Sequence, residues 1–274
     1  VADAEGKIVK DGIGGGVAGN IGFGHFWEMV WQEDVEVLIM LTRCVEKGAE
    51  KCGVYYPEAV GETLELEGEE DVWGAVTCET FKLEWETEIR ELKLMKRKGK
   101  ADLNQDAEVD GSIQVEERKI WHFLFLGWPD HDVPQTPEDR KALLELIRMT
   151  RFRINAGIDH ESEPQEHPQP LETLSPNPSS QAKSKPRIVH CSAGVGRTGT
   201  FIALDHLLQE LEEGRFDDMA GETDDHDPVF ECVKRLREQR MYMVYKPAQY
   251  FYIYQTLREI WNVHCTKVVS KIND

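Results

Sequence analysis

Arg187-Ile-Val-His-Cys-Ser-Ala-Gly-Val-Gly-Arg-Thr-Gly-Thr200 is the segment that makes the rest of this chain interpretable. The β-branched pair Ile188-Val189 predicts a short buried strand. From Thr200 onward, Thr-Phe-Ile-Ala-Leu-Asp-His-Leu-Leu carries apolar residues at helical spacing. Between them lies a loop of small residues, with Cys191 at its start and Arg197 at its end. Gly194, Gly196 and Gly199 let the backbone curl so that successive N–H groups point inward and form an anion nest. The helix adds its own unpaired N–H groups and the positive end of its dipole. Arg197 offers a planar fork to two oxygens of one phosphate. The same donors would hold Cys191 as a thiolate, a nucleophile near neutral pH, and Thr198 could donate its hydroxyl to the sulfur. A lone Cys in a glycine-rich turn would read as a packed thiol. The whole string reads as a strand–loop–helix built around an anion.

The string from His190 to Gly199 resembles the signature loop of the protein tyrosine phosphatases. The resemblance implies an α/β (α+β-like) fold, a twisted mixed sheet flanked by helices, with the Cys-x5-Arg phosphate loop between a strand and a helix. It assigns phosphate binding to Ser192, Ala193, Gly194, Val195, Gly196 and Arg197, nucleophilic attack to Cys191, a catalytic part beside it to Arg197 and Thr198, and support to His190. Three further strings stand in the family's order. Phe26-Trp-Glu-Met-Val-Trp, with the apolar run Val35 to Leu41, predicts a helix feeding a strand buried on both faces. Glu46 and Lys51, before Cys52 and an aromatic-Pro pair, read by composition as a solvated charge pair. By resemblance Glu46 orients Arg197, and Lys51 meets a mobile acid loop.

That acid loop resembles Gly127-Trp-Pro-Asp-His-Asp-Val-Pro134. Composition alone makes it a surface turn stiffened by Pro129 and Pro134. The resemblance makes Trp128 and Pro129 its anchor and Asp130 the general acid, with Asp132 the rival carboxylate. Near the end, Gln239-Arg-Met-Tyr-Met-Val-Tyr-Lys-Pro-Ala-Gln-Tyr resembles the family's QRxxMVQTxxQY string. Tyr245-Lys246 replace its Gln-Thr pair, and Gln249 is expected to position the hydrolytic water.

Between these strings the chain alternates. Residues 62–97 predict antiparallel strands joined by short turns, and residues 113–126 another core strand. Thr136-Pro-Glu-Asp predicts a capped helix running to about Ile154. Residues 228–240 predict a helix carrying Phe230, Val233 and Leu236, and a last aromatic helix ends near Val263. The expected organisation is a glycine-rich leader over 1–25, a catalytic domain over 26–266 with insertions at 157–186 and 212–227, and a tail over 267–274. Family members carry, ahead of FWxMVW, a phosphotyrosine-loop segment that supplies an aromatic wall; residues 1–25 contain none of its strings, so the chain is expected to lack it.

The sequence excludes other chemistries. Gly14, Gly16 and Gly19 match GxGxxG spacing, but the strand before and the helix after are missing. Asp102, Asn104 and Asp106 imitate a calcium loop whose Gly and closing Glu are replaced by Ala107 and Ile113. No metal and no cofactor is expected. A net charge of −19 argues against nucleic acid and anionic membranes as partners. Six Cys without a CxxC pair, no signal peptide and no membrane-length apolar run point to an intracellular, cytoplasmic chain. Its expected partners are phosphotyrosine-containing proteins. The expected function is a protein-tyrosine phosphatase; a phosphotyrosine-binding pseudophosphatase and a phosphatase of broader specificity are the alternatives.

Overall fold

The computed structural model describes residues 23–68, 72–97, 115–129, 132–156, 185–216 and 227–272, excepting the side chains of 152–156 and 263–272. Its centre is the run predicted to be buried on both faces. Strand β1 (Val37–Met40) is fully buried. It lies parallel to β7 (Val115–Phe125) on one side and to β8 (Arg187–His190) on the other, with Ile39 opposite Phe123 and Val189. Strands β4 (Thr63–Glu67), β5 (Val72–Glu84) and β6 (Thr87–Arg97) continue the sheet antiparallel, in the order β4-β5-β6-β7-β1-β8. Trp85 and Glu86 join β5 to β6 with φ of 48° and 52°. Two successive left-handed residues match the twist of a tight hairpin.

Side chains of β1 alternate between two cores, as the two-residue period of a strand requires. Leu38 and Met40 pack with Trp27, Val30, Tyr55, Tyr56 and Leu92 on the face covered by α1 (Gly24–Gln32). Val37 and Ile39 face the other core, built with Leu143 of α2 (Pro137–Ala156), Phe201 of α3 (Gly196–Glu212), Val233 of α4 (Pro228–Gln239) and Tyr252 of α5 (Pro247–Ile272). At about 25 cal/mol per Å² of apolar surface removed from water, these two layers are the main stabilisation of the fold. The twisted mixed sheet with helices on both sides is the architecture expected.

The helix ends follow local chemistry. Thr136 Oγ1 accepts from Asp139 N–H at 3.0 Å while Asp139 Oδ2 accepts from Thr136 N–H at 3.3 Å, a reciprocal cap. Asp227 caps α4 by accepting from Phe230 N–H at 3.0 Å. A charge cluster ties α2, α3 and β8 together: Arg151 donates to Asp205 at 2.6 Å and to Glu212 at 2.8 Å, and Arg187 donates to the other Asp205 oxygen.

Several elements differ from expectation. α1 starts at Gly24, two residues before Phe26; a Cβ at that position would overlap the carbonyl of Glu67, so the close approach requires glycine there. The charged segment after β1 is not a plain loop. It forms a hairpin of β2 (Val45–Glu46) and β3 (Ala49–Glu50), turned through Lys47 and Gly48 with φ of 51° and 76°. In α4 the buried residues are Val229, Cys232 and Val233, while Phe230 faces solvent. α5 continues through Ile272, beyond the expected end near Val263. Most of both insertions, the leader to residue 22 and the calcium-like segment around Asp102 lie outside the described residues. Among the described residues, no helix is long and apolar enough to cross a membrane, and no cluster of ligands could hold a metal.

Candidate active site

β1, β7 and β8 are parallel, so their C-terminal ends open on one edge of the sheet, the usual position of a ligand site in such a sheet. β8 delivers His190 and Cys191, β7 leads to Trp128, and β1 leads to Thr42 and the β2–β3 hairpin. α3 starts at Gly196, which puts Arg197 and Thr198 in its first turn, both buried. The loop between Cys191 and Gly196 therefore ends on a helix N-terminus, where unpaired N–H groups and the dipole favour an anion.

Cys191 is buried, and its Sγ accepts a hydrogen bond from Gly194 N–H at 3.2 Å. Gly194 has φ of 68°, a left-handed conformation that glycine adopts without steric cost. Burial pushes the Cys191 thiol up. The Thr198 hydroxyl and N–H, the Gly194 N–H and the Arg197 charge outweigh that and leave its pKa below the ordinary 9.0. Thr198 Oγ1 is buried and makes no full hydrogen bond among the described residues. The Gly194 N–H is thus the firmer donor, and the Thr198 hydroxyl acts on the sulfur at longer reach. The other described thiols behave oppositely: burial raises Cys44, Cys78, Cys52 and Cys232, the last two to about 11.

Arg197 is held by a fork-to-fork pair with Glu46, Nη1 to Oε1 at 2.6 Å and Nη2 to Oε2 at 3.0 Å. Nη2 also donates to Thr42 Oγ1 at 3.1 Å. Glu46 Oε1 is fixed in turn by Thr42 Oγ1 at 3.1 Å and Arg43 N–H at 3.2 Å. The β2–β3 turn is what brings this carboxylate across 151 residues of sequence onto the guanidinium. Lys51, at the exit of the hairpin, lines the same cavity of about 290 Å³ as Cys191, Ser192, Ala193, Val195, Gly196, Arg197, Tyr242, Tyr245, Lys246 and Gln249.

Gln249 is buried, accepts from Lys246 N–H at 3.1 Å, and packs against Gly196. Trp128 is buried and donates its indole N–H to Asp132 O at 2.9 Å, with Pro129 exposed beside it. Asp132 Oδ1 accepts from Val133 N–H and Gln135 Nε2, so this carboxylate braces its own loop. Asp130 lies outside the described residues.

The family model for protein-tyrosine phosphatase matches residues 22–259. The chain belongs to the protein-tyrosine phosphatase family. Rat tyrosine-protein phosphatase non-receptor type 9 is 30% identical over 234 residues, 85% of this chain and 32% of that protein. Rat phosphatidylinositol phosphatase PTPRQ is 30% identical over 237 residues, 86% of this chain and 8% of that protein. The chain thus spans less than a third of the length of either relative. The crystal structure of the Trypanosoma cruzi protein tyrosine phosphatase TcPTP1 matches with a TM-score of 0.61 and 25% identity, over 88% of this chain and 65% of that one.

Sequence reasoning missed several groups that support this tyrosine-phosphatase site. Tyr55 is buried, and its hydroxyl bridges His190 Nε2 at 2.7 Å and His122 Nε2 at 3.2 Å. Burial holds both imidazoles below their usual 6.5, His122 well below with the Arg90 charge adding to it. His190 is therefore neutral near pH 7, and its other nitrogen contacts the Cys191 carbonyl at 3.4 Å. Arg240 donates to Ala193 O at 3.2 Å, and Arg237 donates to Met243 O at 2.9 Å and Val244 O at 3.0 Å. His190 and Arg240 stand in strings that the family resemblance marks, but the bonds themselves left no signal, because each joins segments remote in sequence or in a loop without periodicity.

Proposed function

We propose that this chain hydrolyses phosphotyrosine on proteins through a cysteinyl-phosphate intermediate. The observation that carries the proposal is the pairing of a thiol held below its usual pKa with an arginine locked two bonds deep by Glu46 in one cavity. In the first step Cys191 Sγ attacks phosphorus, a sulfur–phosphorus bond forms and the phosphorus–phenol oxygen bond breaks. Loop N–H groups and Arg197 bind the equatorial oxygens as their charge develops. Asp130 gives its proton to the departing phenolate. In the second step a water held by Gln249 attacks phosphorus, Asp130 takes the water's proton, and the sulfur leaves as thiolate with help from the Thr198 hydroxyl. Closure of the 128–134 loop, anchored by Trp128 and Pro129 and met by Lys51, excludes bulk water from both steps. The scheme requires no metal or organic cofactor.

The test is steady-state phosphate release from a phosphotyrosine peptide by the chain and by Cys191→Ser. Expected is release that disappears with the substitution while the variant still binds the peptide. A folded chain that binds the peptide without releasing phosphate is a binding module and refutes hydrolysis. Because one relative is a phosphatidylinositol phosphatase, phosphoinositide vesicles belong in the same assay. Faster release from them than from the peptide would overturn the assignment to proteins.

A further inference from the structure

Tyr242 and Tyr245 are 64% and 57% exposed, with rings 6.1 Å apart and set edge to face at 80°. Both line the cavity that holds Cys191 and Arg197. Tyr55, Tyr56 and Tyr252 in the same chain are buried. An exposed aromatic pair beside a cleft marks a binding surface more than a packing accident. Their backbone is also held under strain. Tyr242 and Val244 have φ of 66° and 57°, a conformation that costs a non-glycine residue and a β-branched one most of all. Four bonds fix the segment nonetheless. Arg237 grips the carbonyls of Met243 and Val244, Val244 N–H donates to Val195 O at 3.0 Å, and Arg240 donates to Ala193 O. The rings are thereby placed relative to the phosphate loop itself. Lys246 Nζ stands 5.3 Å from the Tyr245 ring centre, restricting that ring and adding a cation at the cavity rim.

We propose that Tyr242 and Tyr245 form the aromatic wall of this pocket and select aryl phosphate esters over alkyl ones. The proposal rests on the phosphatase reading of the cavity. A phosphate seated between the loop N–H groups and Arg197 directs its ester group outward, past the two rings. A phenol ring there gains edge-to-face or offset-stacked contact at 4.5–7 Å between centres, which a serine side chain cannot make. The contact uses the rings and not the hydroxyls, so phenylalanine serves equally well. Tyr242 and Tyr245 are specificity determinants, with no part in bond making or breaking.

The test is calorimetric binding of two peptides of one sequence, carrying phosphotyrosine or phosphoserine, to the full chain with Cys191→Ser. Expected is binding of the phosphotyrosine peptide about tenfold or more tighter. Tyr245→Ala should erase most of that preference and leave phosphoserine binding unchanged, and Tyr245→Phe should keep it. Tyr242→Asn removes the other ring with a residue that tolerates left-handed φ, so loop collapse does not confound the result. Ring-removing variants that bind phosphotyrosine like the parent, that weaken both peptides equally, or a parent that binds neither peptide, overturn the proposal. Parallel turnover by the chain with Cys191 intact separates the two ideas. A ring-dependent preference without phosphate release supports the wall and refutes hydrolysis. Release that depends on Cys191 but is indifferent to both rings supports hydrolysis and overturns the wall.

Discussion

Replacing Glu46 tests the logic of the site most directly. Both side chains of its pair with Arg197 are nearly inaccessible, at 8% and 6% exposure. Glu46→Ala would take the paired carboxylate away from a buried guanidinium. Breaking such a pair from one side costs about 3–5 kcal/mol, a large part of the roughly 5–15 kcal/mol that holds a domain folded. Glu46→Gln is gentler. It keeps one acceptor and the shape of the side chain, and gives up one charge-assisted bond of about 1.5–3 kcal/mol. With a urea slope of about 2 kcal/mol/M, the Gln variant should unfold about 1 M earlier by tryptophan fluorescence. An arginine no longer held to its angle misplaces the phosphate, so kcat/KM on a phosphotyrosine peptide should fall about a hundredfold. Glu46→Leu combined with Arg197→Met removes both charges from the interior. It should recover stability to within about 1 kcal/mol while remaining inactive. A Gln variant with an unchanged urea midpoint and kcat/KM within twofold of the parent would show that the pair neither stabilises nor orients, and the reasoning would fail.

Three further outcomes are expected. A methyl at Gly199 would sit 2.5 Å from Val244 N, so Gly199→Ala should destabilise by about 1–3 kcal/mol in urea unfolding; helix propensity alone would make it about 1 kcal/mol more stable, so the sign decides. His122 is buried neutral with its pKa well below 6.5, so the unfolded chain binds the extra proton first. Stability present above pH 6.5 is lost on acidification below it, at up to about 1.4 kcal/mol per pH unit from this residue, and urea midpoints for the parent and His122→Gln should diverge in slope below pH 6.5. Asp130→Ala should cut turnover by about 10²–10⁴ with peptide affinity retained, and unchanged phosphate release would remove Asp130 from the mechanism.

The parts legible in the sequence were those whose chemistry is local. The apolar run of β1, the capped start of α2 and the alternating segments of β5 and β6 each depend on neighbours within a few residues, and all stand where periodicity put them. The strand–loop–helix around Cys191 was readable for the same reason. What stayed hidden was set by distant partners. Gly24 must be glycine because the Glu67 carbonyl crowds it, a constraint that propensity cannot register. The β2–β3 hairpin needs Lys47 in a conformation usually left to glycine. By composition Glu46 was a solvated charge, and only family resemblance pointed it at Arg197, its partner in the fold. Tyr55 meets His190 across 135 residues and His122 across 67. Helical spacing groups Phe230 with Val233 and Leu236, yet Phe230 is exposed while Val233 is buried, because spacing alone cannot tell which stripe a neighbour will cover.

The parallel trio β7-β1-β8 has one more implication. Each strand ends in a different component of the site: the arginine-orienting segment after β1, the tryptophan-anchored loop after β7, and the cysteine after β8. Their alignment is inherited from hydrogen-bond register, so the components share one assembly event. Catalytic competence is then a report on the sheet's integrity. As denaturant rises, activity should vanish together with β-sheet circular dichroism, with no inactive but fully zipped sheet preceding it. Equally, a substitution in β1 that loosens register, such as Ile39→Gly, should silence the chemistry without touching any residue that meets the phosphate.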